Sequence, residues 1–404
     1  MSASGAPSAE IRRLPTVTPR QATAFRLARH HLLARTPAAE LSQVLTDING
    51  AQAQLLPAAQ LALWARLSAL TRDHLEVAIW GRKSAVRAWC MRRTLYLIPS
   101  RDAALYGLGS ARRAEKEIRW MLAHGAAADT LEHAIHELLD ILDRPRSRSE
   151  IAQLLADRLR VPIQTRTGGT GWGNAQRTPW LRFGGVRIPV GYALHLAGAR
   201  GVIGLGPARG AEATYVRVDA WTRAWRDLSR SEAEPQLVRR YLHSFAPATP
   251  RDFAIWTGMT LGDAEELWSQ VSADLAAVNV EDRRAWVLRR DLSELASASF
   301  EGPSVRLLPH FDSFLLGHRD HGNVVGKVHH RRVYRPQGWV SPVILVDGLV
   351  AGVWSTAVRN GALTLRMEPF VRLPRKVRSL LGQECRQLGR FLGQARARVT
   401  ASGT

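Results

Sequence analysis

The chain has 404 residues, too many for one ordinary hydrophobic core, so roughly two to four domains are expected. Hydrophobic residues make up 46% of the chain and charged residues 23%, which is typical of a folded globular protein. The longest apolar candidate, residues 342–354, is interrupted by Asp347 and Gly348, which excludes a membrane-spanning segment. The two cysteines, Cys90 and Cys385, exclude a disulfide framework and a multi-cysteine zinc site, and they favour a reducing, cytoplasmic setting.

The net charge of +21 at pH 7 is the most unusual property of the composition. A positive field of this size attracts polyanions, so nucleic acid is the first partner to expect and an acidic membrane surface the second. A GC-rich genome would explain why arginine greatly outnumbers lysine. It does not explain an excess of 56 basic over 35 acidic residues, so the charge favours a DNA-binding protein.

In chain order, residues 1–15 come first, with neither an apolar run nor a basic segment before one, and they predict a flexible tail and not a signal peptide. Three later segments, which begin at Thr18, Ser147 and Thr249, share a signature for the start of a helix. In each, a hydroxyl residue is followed three positions later by Gln, Glu or Asp, which is the pattern of a capping box.

The segment behind Thr249 predicts a winged helix. A first helix should end at Gly258, a second should span residues 261–271, and residues 284–289 alternate like a β-strand. Helix, turn, helix and β-hairpin is the order of a winged helix, whose second helix enters the major groove of DNA. Capping boxes precede many helices in any protein, so ordinary helix starts are the alternative interpretation.

The stretch INGAQAQLL, residues 48–56, is predicted to connect two helices. Thr36-Pro37 should begin the first helix, Asn49-Gly50 should end it, and Pro57 should begin the next.

Two glutamines stand in this connection. In an extended segment, residues i and i+2 point to the same side, so Gln52 and Gln54 should direct both amides one way. The alternative is that they are exposed glutamines of an ordinary loop.

Two other clusters do not match known motifs. The glycine-rich residues 204–210 are one residue too long for a dinucleotide-binding motif, and Pro207 stands where the motif's helix would begin, so a turn or wing is predicted. Several histidines lie close together in the sequence, but their separations do not match a zinc-ligand spacing. We therefore predict that these side chains are solvated or face phosphates and that they do not form a metal site. These are His310, His318, His321, His329 and His330. The sequence also lacks the short motifs of serine hydrolases, P-loop NTPases and zinc proteases.

Residues 304–372 predict a small antiparallel sheet or barrel. Asp347-Gly348 lies between two apolar strands and suits a type I′ turn, and a second strand pair is expected around Asn360-Gly361. Pro374 should open a final helix that has an apolar stripe and remains basic elsewhere.

Five stretches together resemble the AlkZ/YcaQ-like DNA glycosylases of the winged-helix superfamily, a family that includes bacterial enzymes that unhook interstrand crosslinks. They are GAQAQ (50–54), LALWARL (61–67), AWCMRRTL (88–95), ATPRDFAIWTG (248–258) and LLPHFDSFLLGHRD (307–320). The resemblance implies an α+β fold, with tandem winged-helix modules around a concave basic channel, a small C-terminal antiparallel β-barrel and a final helix. It also implies a catalytic glutamine-x-glutamine pair, which Gln52 and Gln54 match.

The expected domains follow from this resemblance and from the helix starts. They are a flexible tail (1–15), a winged-helix module with the catalytic loop (16–130), a second module (131–235), a third (236–300), and a β-barrel with a basic C-terminal helix (301–404).

Other site residues are also expected. Arg92, Arg93 and Arg319 are expected to bind DNA. Asp312 and Asp320 are expected to line the channel, with an ion-paired turn as the alternative. The sequence departs from the family pattern at Arg93 and Tyr96, where Gly and His are expected.

The predicted function is that of a monofunctional DNA glycosylase that removes N7-alkylated guanine, including bulky adducts or interstrand crosslinks, and leaves an abasic site. Such a base is cationic and leaves readily, so two amides that orient a water would suffice. No lysine is near the pair in sequence, which argues against a Schiff-base step. We expect a monomer that acts on double-stranded DNA carrying alkylated purines, without metal, cofactor or membrane. The alternatives are a DNA-binding regulator without chemistry and a damage sensor.

Overall fold

The computed structural model describes residues 9–123, 128–161, 163–166, 178–183, 186–198 and 200–401. Residues 1–8, half of the predicted tail, lie outside the described residues, and a short helix, Ala9–Arg12, follows them. The described chain forms two compact units. The first unit contains the residues up to Leu75 together with Val238–Trp256 and the residues from Ala264 onward, and the second contains Glu76–Leu237 and Thr257–Asp263.

The helices of the described chain are α-helical except for the π-helical turn Val77–Gly81 and several short 3-10 turns. In chain order the α-helices are Ala9–Arg12, Pro19–Arg29, Leu41–Asp47, Leu56–Trp64, Arg72–Glu76, Ala103–Gly109, Ala111–Ala123, Ala128–Ile141, Arg148–Leu159, Val190–Gly198, Val218–Trp221, Arg230–Phe245, Pro250–Thr257, Leu261–Ser269, Leu292–Ser297, His330–Val333 and Arg375–Phe391. Within the described residues, no helix combines the length and the apolar character needed to cross a lipid bilayer.

The strands are mostly short and antiparallel. In chain order they are Thr36–Pro37, Ala51–Gln52, Leu67–Ser68, Ala85–Trp89, Leu95–Pro99, Arg146–Ser147, Ile163–Arg166, Thr178–Phe183, Val186–Pro189, Ile203–Arg209, Glu212–Arg217, Leu275–Val280, Arg283–Leu288, Val305–Leu308, Tyr334–Arg335, Trp339–Val340, Val343–Val346, Leu349–Arg359, Ala362–Pro369 and Arg396–Ala401.

All three predicted capping boxes are present. The hydroxyls of Thr18 and Ser147 accept from the backbone N–H three residues on, and the Gln21 and Glu150 side chains accept in return. Thr249 makes the same reciprocal pair with Asp252. Each box satisfies backbone donors that the first helical turn would otherwise leave without partners.

The predicted start of the helix before the glutamine loop is wrong. Thr36 and Pro37 form a short strand that pairs in parallel with Leu67–Ser68, and the α-helix begins at Leu41 after a 3-10 turn. The Thr36 hydroxyl is 2.7 Å from Nδ1 of His31, and no side chain caps the start of the 3-10 turn.

The order of elements predicted for residues 249–289 is observed. Helices Pro250–Thr257 and Leu261–Ser269 are followed by the strands Leu275–Val280 and Arg283–Leu288, which pair as an antiparallel hairpin. An aromatic cluster packs in this part of the core, with Tyr241 5.3 Å from Phe253 and 5.1 Å from Trp256 between ring centroids.

The C-terminal sheet also belongs to the first unit and is open. Its strands lie in the order 305–308, 343–346, 349–359, 362–369 and 396–401, and both predicted hairpins are present. The last strand pairs in parallel with its neighbour, and the helix Arg375–Phe391 packs against both edge strands. The expected closed antiparallel barrel is therefore replaced by a mixed open sheet, because the helix covers the sheet where a barrel would pair its edges.

The second unit contains the strands Leu95–Pro99, Ala85–Trp89, Ile203–Arg209, Glu212–Arg217 and Arg146–Ser147, adjacent in that order and antiparallel. The predicted glycine-rich turn is the hairpin between the third and fourth of these strands, and Gly210 has a φ of 62°. A core of leucine, isoleucine and alanine side chains packs around helices Ala128–Ile141, Arg148–Leu159 and Val190–Gly198.

Candidate active site

The loop that contains both glutamines begins where the helix Leu41–Asp47 ends. Asn49 and Gly50 adopt left-handed φ values of 55° and 78°, which turn the chain out of the helix. Ala51 and Gln52 are then extended, and the next helix begins at Leu56 with Pro57 in its first turn. The predicted connection is confirmed, and its geometry follows from the Asn-Gly pair and the proline.

The backbone at the start of this loop is fixed by hydrogen bonds from distant parts of the first unit. Nδ2 of Asn49 donates to the Arg240 carbonyl at 3.0 Å and to Oγ of Ser244 at 2.6 Å. The Gly50 carbonyl accepts from Oγ of Ser313 at 2.7 Å. Ala51 and Ala53 are fully buried, so packing and hydrogen bonding both restrict the loop.

The two glutamines differ in exposure. Gln52 is buried with 8% of its surface exposed, while Gln54 is half-buried. Gln52 Oε1 accepts no hydrogen bond from any of the described residues. A buried amide oxygen without a partner is unfavourable, so this oxygen is suited to accept a hydrogen bond from a water or a substrate.

Asp312, predicted to line a channel, is instead part of a buried ion pair. Its two carboxylate oxygens accept from Nη1 and Nη2 of Arg66 at 2.8 and 2.7 Å, and neither side chain is exposed. One of these oxygens also accepts from the Phe314 backbone N–H at 3.0 Å. The channel prediction for Asp312 is corrected, since a fully paired and desolvated carboxylate does not face solvent.

This ion pair supports the glutamine loop indirectly. Asp312 is fixed by Arg66, and the next residue, Ser313, donates to the Gly50 carbonyl at the start of the loop. Arg66 also donates to the Ala62 carbonyl at 2.8 Å, which ties the ion pair to the helix that follows the loop. The contact joins residues 246 positions apart, so no local sequence signal predicted it.

Asp47, at the end of the helix before the loop, forms with two histidines a second network that the sequence did not indicate. Oδ2 of Asp47 is 2.9 Å from Nε2 of His31, and Oδ1 is 3.3 Å from Nε2 of His243. Burial by itself would raise the pKa of the Asp47 carboxyl, but hydrogen bonds from both histidines outweigh it and hold that pKa below its usual range. Asp47 therefore remains ionised at neutral pH.

His30 is a further buried residue that the sequence reasoning missed. Its ring packs on Phe245 and Phe314 at centroid distances of 5.1 and 5.3 Å. Burial, followed by the positive charge of Arg66, lowers the pKa of His30 well below its usual value. The imidazole is therefore neutral, and it supplies no strong acid.

Arg92 and Arg93, both predicted to bind DNA, lie in the second unit with left-handed φ values of 55° and 60°. Glycine, which the family pattern has in place of Arg93, adopts such values without strain. Nη2 of Arg92 donates to the Tyr96 hydroxyl at 2.7 Å, and Nε of Arg93 donates to Nε2 of His195 at 2.9 Å. Both residues that depart from the family pattern, Arg93 and Tyr96, thus take part in hydrogen bonds.

The imidazole that Arg93 contacts is neutral. Burial, followed by the charges of Arg93 and Arg113, lowers the pKa of His195 to about 4. A neutral Nε2 can accept from the Arg93 guanidinium, as the geometry requires.

Arg319 and Asp320 lie on the surface of the first unit. The Arg319 backbone N–H donates to a carboxylate oxygen of Asp252 at 2.9 Å, and its side chain is exposed. Asp320 is 3.5 Å from Nη1 of Arg283, and both side chains are largely exposed. The Gly322 backbone N–H, and then Arg283, lower the pKa of Asp320. Asp320 therefore takes part in a surface ion pair.

The histidines of residues 310–330 do not form a metal centre. His321 and His330 are 3.1 Å apart between Nδ1 and Nε2, and both rings stack on Tyr334. Nδ1 of His310 is 2.9 Å from the Val340 carbonyl. Throughout the described chain, no group of three or more metal-binding side chains is assembled.

Comparison with known proteins identifies the class of protein. The family model described as "DNA glycosylase AlkZ-like" matches residues 45–391. The chain belongs to this family and is therefore an enzyme, a hydrolase that acts on N-glycosyl bonds. The alternative of a DNA-binding regulator without chemistry is thereby disfavoured.

Particular relatives come from Streptomyces sahachiroi. The chain is 30% identical over 390 residues to a protein named "Interstrand DNA cross-link repair glycosylase", covering 94% of this chain and 98% of the relative. The fold is similar to the solved structure of the DNA glycosylase AlkZ from that organism, with a TM-score of 0.77 and 28% identity. That match covers 96% of this chain and all of the other.

Proposed function

We propose that the protein hydrolyses the N-glycosidic bond of N7-alkylated guanine in double-stranded DNA, including bulky adducts and interstrand crosslinks, and leaves an abasic site. The main support is the buried Oε1 of Gln52, which has no donor among the described residues. The name of the Streptomyces sahachiroi relative supports the inclusion of crosslinks, since the two chains align over nearly their full lengths.

The proposed chemistry relies on a good leaving group. Alkylation at N7 gives guanine a positive charge, and the base departs with the electron pair of the bond to the sugar as a neutral alkylguanine. The sugar passes through an oxocarbenium-like state, which a water attacks at the same carbon. The water delivers its oxygen to the sugar and releases its proton to solvent, so no protein acid or base is required.

The glutamines act on the water and on the sugar charge. Gln52 Oε1 accepts a hydrogen bond from the water and directs its lone pair towards the sugar. Gln54, which is half-buried, places a second amide dipole at the cationic sugar. The restricted backbone at Gly50 and Ala51 keeps these groups in place, and such preorganisation is what makes neutral dipoles effective.

A covalent lyase step is not part of the proposal. It would need a lysine amine that forms a Schiff base with the sugar. The lysine nearest to the glutamine pair in sequence is Lys83, whose Nζ lies 3.6 Å from the centre of the Trp221 ring. The product is therefore an intact strand with an abasic site.

The architecture of DNA binding is part of the same proposal. The helices Pro250–Thr257 and Leu261–Ser269 and the hairpin after them would form one winged-helix module, with two more in the preceding chain. Arg92, Arg93 and Arg319 would contact phosphates, and Asp320 would lie at the edge of the channel. We further propose that the protein acts as a cytoplasmic monomer.

The test measures base release from a duplex that contains one 7-methylguanine. The protein should release free 7-methylguanine and leave alkali-sensitive sites. Gln52→Ala and Gln54→Ala should each lower the single-turnover rate by roughly 100-fold or more, because orientation of the water is lost. Gln60→Ala is the matched control, since Gln60 is a half-buried glutamine of the next helix, and it should retain the rate.

Unchanged rates in the Gln52 and Gln54 variants would refute the assignment of the catalytic pair. Thermal unfolding and DNA affinity, measured on the same preparations, would show that a slower rate reflects chemistry and not misfolding.

A further inference from the structure

The second unit contains an open cleft of about 520 Å³, separate from the glutamine loop in sequence. Four basic residues and one acidic residue line it, together with an aromatic residue and a short backbone segment. They are Arg93, Arg112, Arg113, Lys116, Asp263, Trp120 and residues 258–260. We call this the basic–aromatic cleft.

One wall of the cleft is a single helical face. Arg113, Lys116 and Trp120 are spaced by three and four residues along the helix Ala111–Ala123, so their side chains lie on the same side of it. Trp120 is 62% exposed, and Lys116 is also exposed. A tryptophan this exposed is unusual, since large aromatic side chains normally pack in the core.

The opposite wall brings backbone close to a guanidinium. Gly258 has a φ of 81°, and a Cβ at this position would lie 2.2 Å from Nη1 of Arg113. The absence of a side chain lets Arg113 rest against this segment. The guanidinium is thereby placed beside the opening and not extended into solvent.

The acidic residue of the cleft is already bound. Asp263 accepts from the Thr260 hydroxyl at 2.6 Å and is 3.8 Å from Nη1 of Arg112, which is also paired with Glu234. Burial, and then the charges of Arg93 and Arg92, lower the pKa of Arg113, which shows that like charges are held close together here. An anion in the cleft would relieve that repulsion.

We propose that the basic–aromatic cleft binds one unstacked nucleotide of DNA, with its base on the Trp120 indole and its phosphate at Arg113 and Lys116. A flat aromatic surface stacks on any base, and neighbouring cations neutralise the phosphate, as in proteins that bind single strands. This inference rests on the proposed function, because only a DNA-bound enzyme would meet such a nucleotide. It adds a site for a strand that is locally unpaired at or near the lesion.

The test compares two lesion-free duplexes, one fully paired and one with a single unpaired nucleotide, by fluorescence anisotropy over a range of salt concentrations. The full-length protein should bind the second duplex more tightly. Trp120→Ala should weaken binding to the duplex with the unpaired nucleotide by about 5- to 100-fold, whereas Trp120→Phe should retain most of that affinity. Lys116→Gln should reduce the slope of log affinity against log salt by about 1.

The matched control is Arg119→Gln. Arg119 is on the same helix, is 69% exposed and is 3.9 Å from Glu115, and it does not line the cleft. It should leave the preference for the unpaired nucleotide unchanged. Equal binding of the two duplexes, or the same preference in Trp120→Ala as in the unaltered protein, would overturn the cleft assignment while leaving glycosylase activity to be measured separately. Failure to bind any DNA would refute the proposed function and this inference together.

Discussion

At the scale of single residues, the Arg66–Asp312 pair has the clearest energetic consequence. Both side chains are completely buried, and the carboxylate accepts from two guanidinium nitrogens and one backbone N–H. Desolvation offsets much of the attraction in such a pair, so its net contribution to folding is small. The pair instead positions the segment that contains Ser313, whose hydroxyl donates to the Gly50 carbonyl of the glutamine loop.

Removing one partner should be far more harmful than removing both. Asp312→Ala leaves the Arg66 charge buried without a counter-ion and should lower the free energy of unfolding by about 3–5 kcal/mol. The double variant Arg66→Met/Asp312→Leu should recover most of that loss, because no buried charge remains. Urea denaturation measures both, and a single variant that loses under about 1 kcal/mol would contradict the description of this pair.

A catalytic role for Gln52 and Gln54 could not be predicted from their spacing alone. Their spacing predicted two amides in a connecting loop, and the loop is observed. The spacing did not distinguish a catalytic pair from two exposed glutamines of an ordinary loop. The resemblance to a known family made them the leading candidates. The burial of the Gln52 oxygen was not predictable, because it depends on packing from residues distant in the sequence.

At the scale of elements, the hairpins of the C-terminal sheet were predictable because their turns are determined locally. Asp347-Gly348 and Asn360-Gly361 have positive φ at both positions, as type I′ turns require. The open edge of the sheet was not predictable. It depends on a parallel final strand, residues 396–401, which the helix Arg375–Phe391 positions, and no turn motif indicates that pairing.

The two hairpin glycines should differ in their tolerance of alanine. In Gly361→Ala the new Cβ faces open space, so the free energy of unfolding should fall only by the cost of the positive φ, about 1–2 kcal/mol. In Gly348→Ala the free energy of unfolding should fall further, because the new Cβ would lie 2.2 Å from Cγ2 of Thr23. Urea denaturation of the two variants isolates the contact, and equal losses would show that the contact is relieved at no cost.

At the scale of the whole molecule, composition predicted a DNA-binding protein and the family assignment confirms a DNA glycosylase. The domain boundaries expected from the sequence remain predictions. Contacts across long sequence separations join the loop to its supports, as with Asn49 and Arg240 or Gly50 and Ser313. Such contacts form only in the packed fold, so composition and hydrophobic periodicity do not predict them.

The proposed chemistry also limits which bases the enzyme should release. The glutamines cannot donate a strongly acidic proton, and the buried imidazole of His30 is neutral. A neutral base needs protonation before it can leave the sugar. Only a base that already carries a positive charge should therefore be released.

The most direct test compares release of 7-methylguanine and O6-methylguanine from otherwise identical duplexes under single-turnover conditions. The first base is cationic and the second is neutral. We predict release of free 7-methylguanine with formation of abasic sites, and no measurable release of O6-methylguanine. Equal rates for the two bases, or release of the neutral base alone, would contradict catalysis by a pair of uncharged amides.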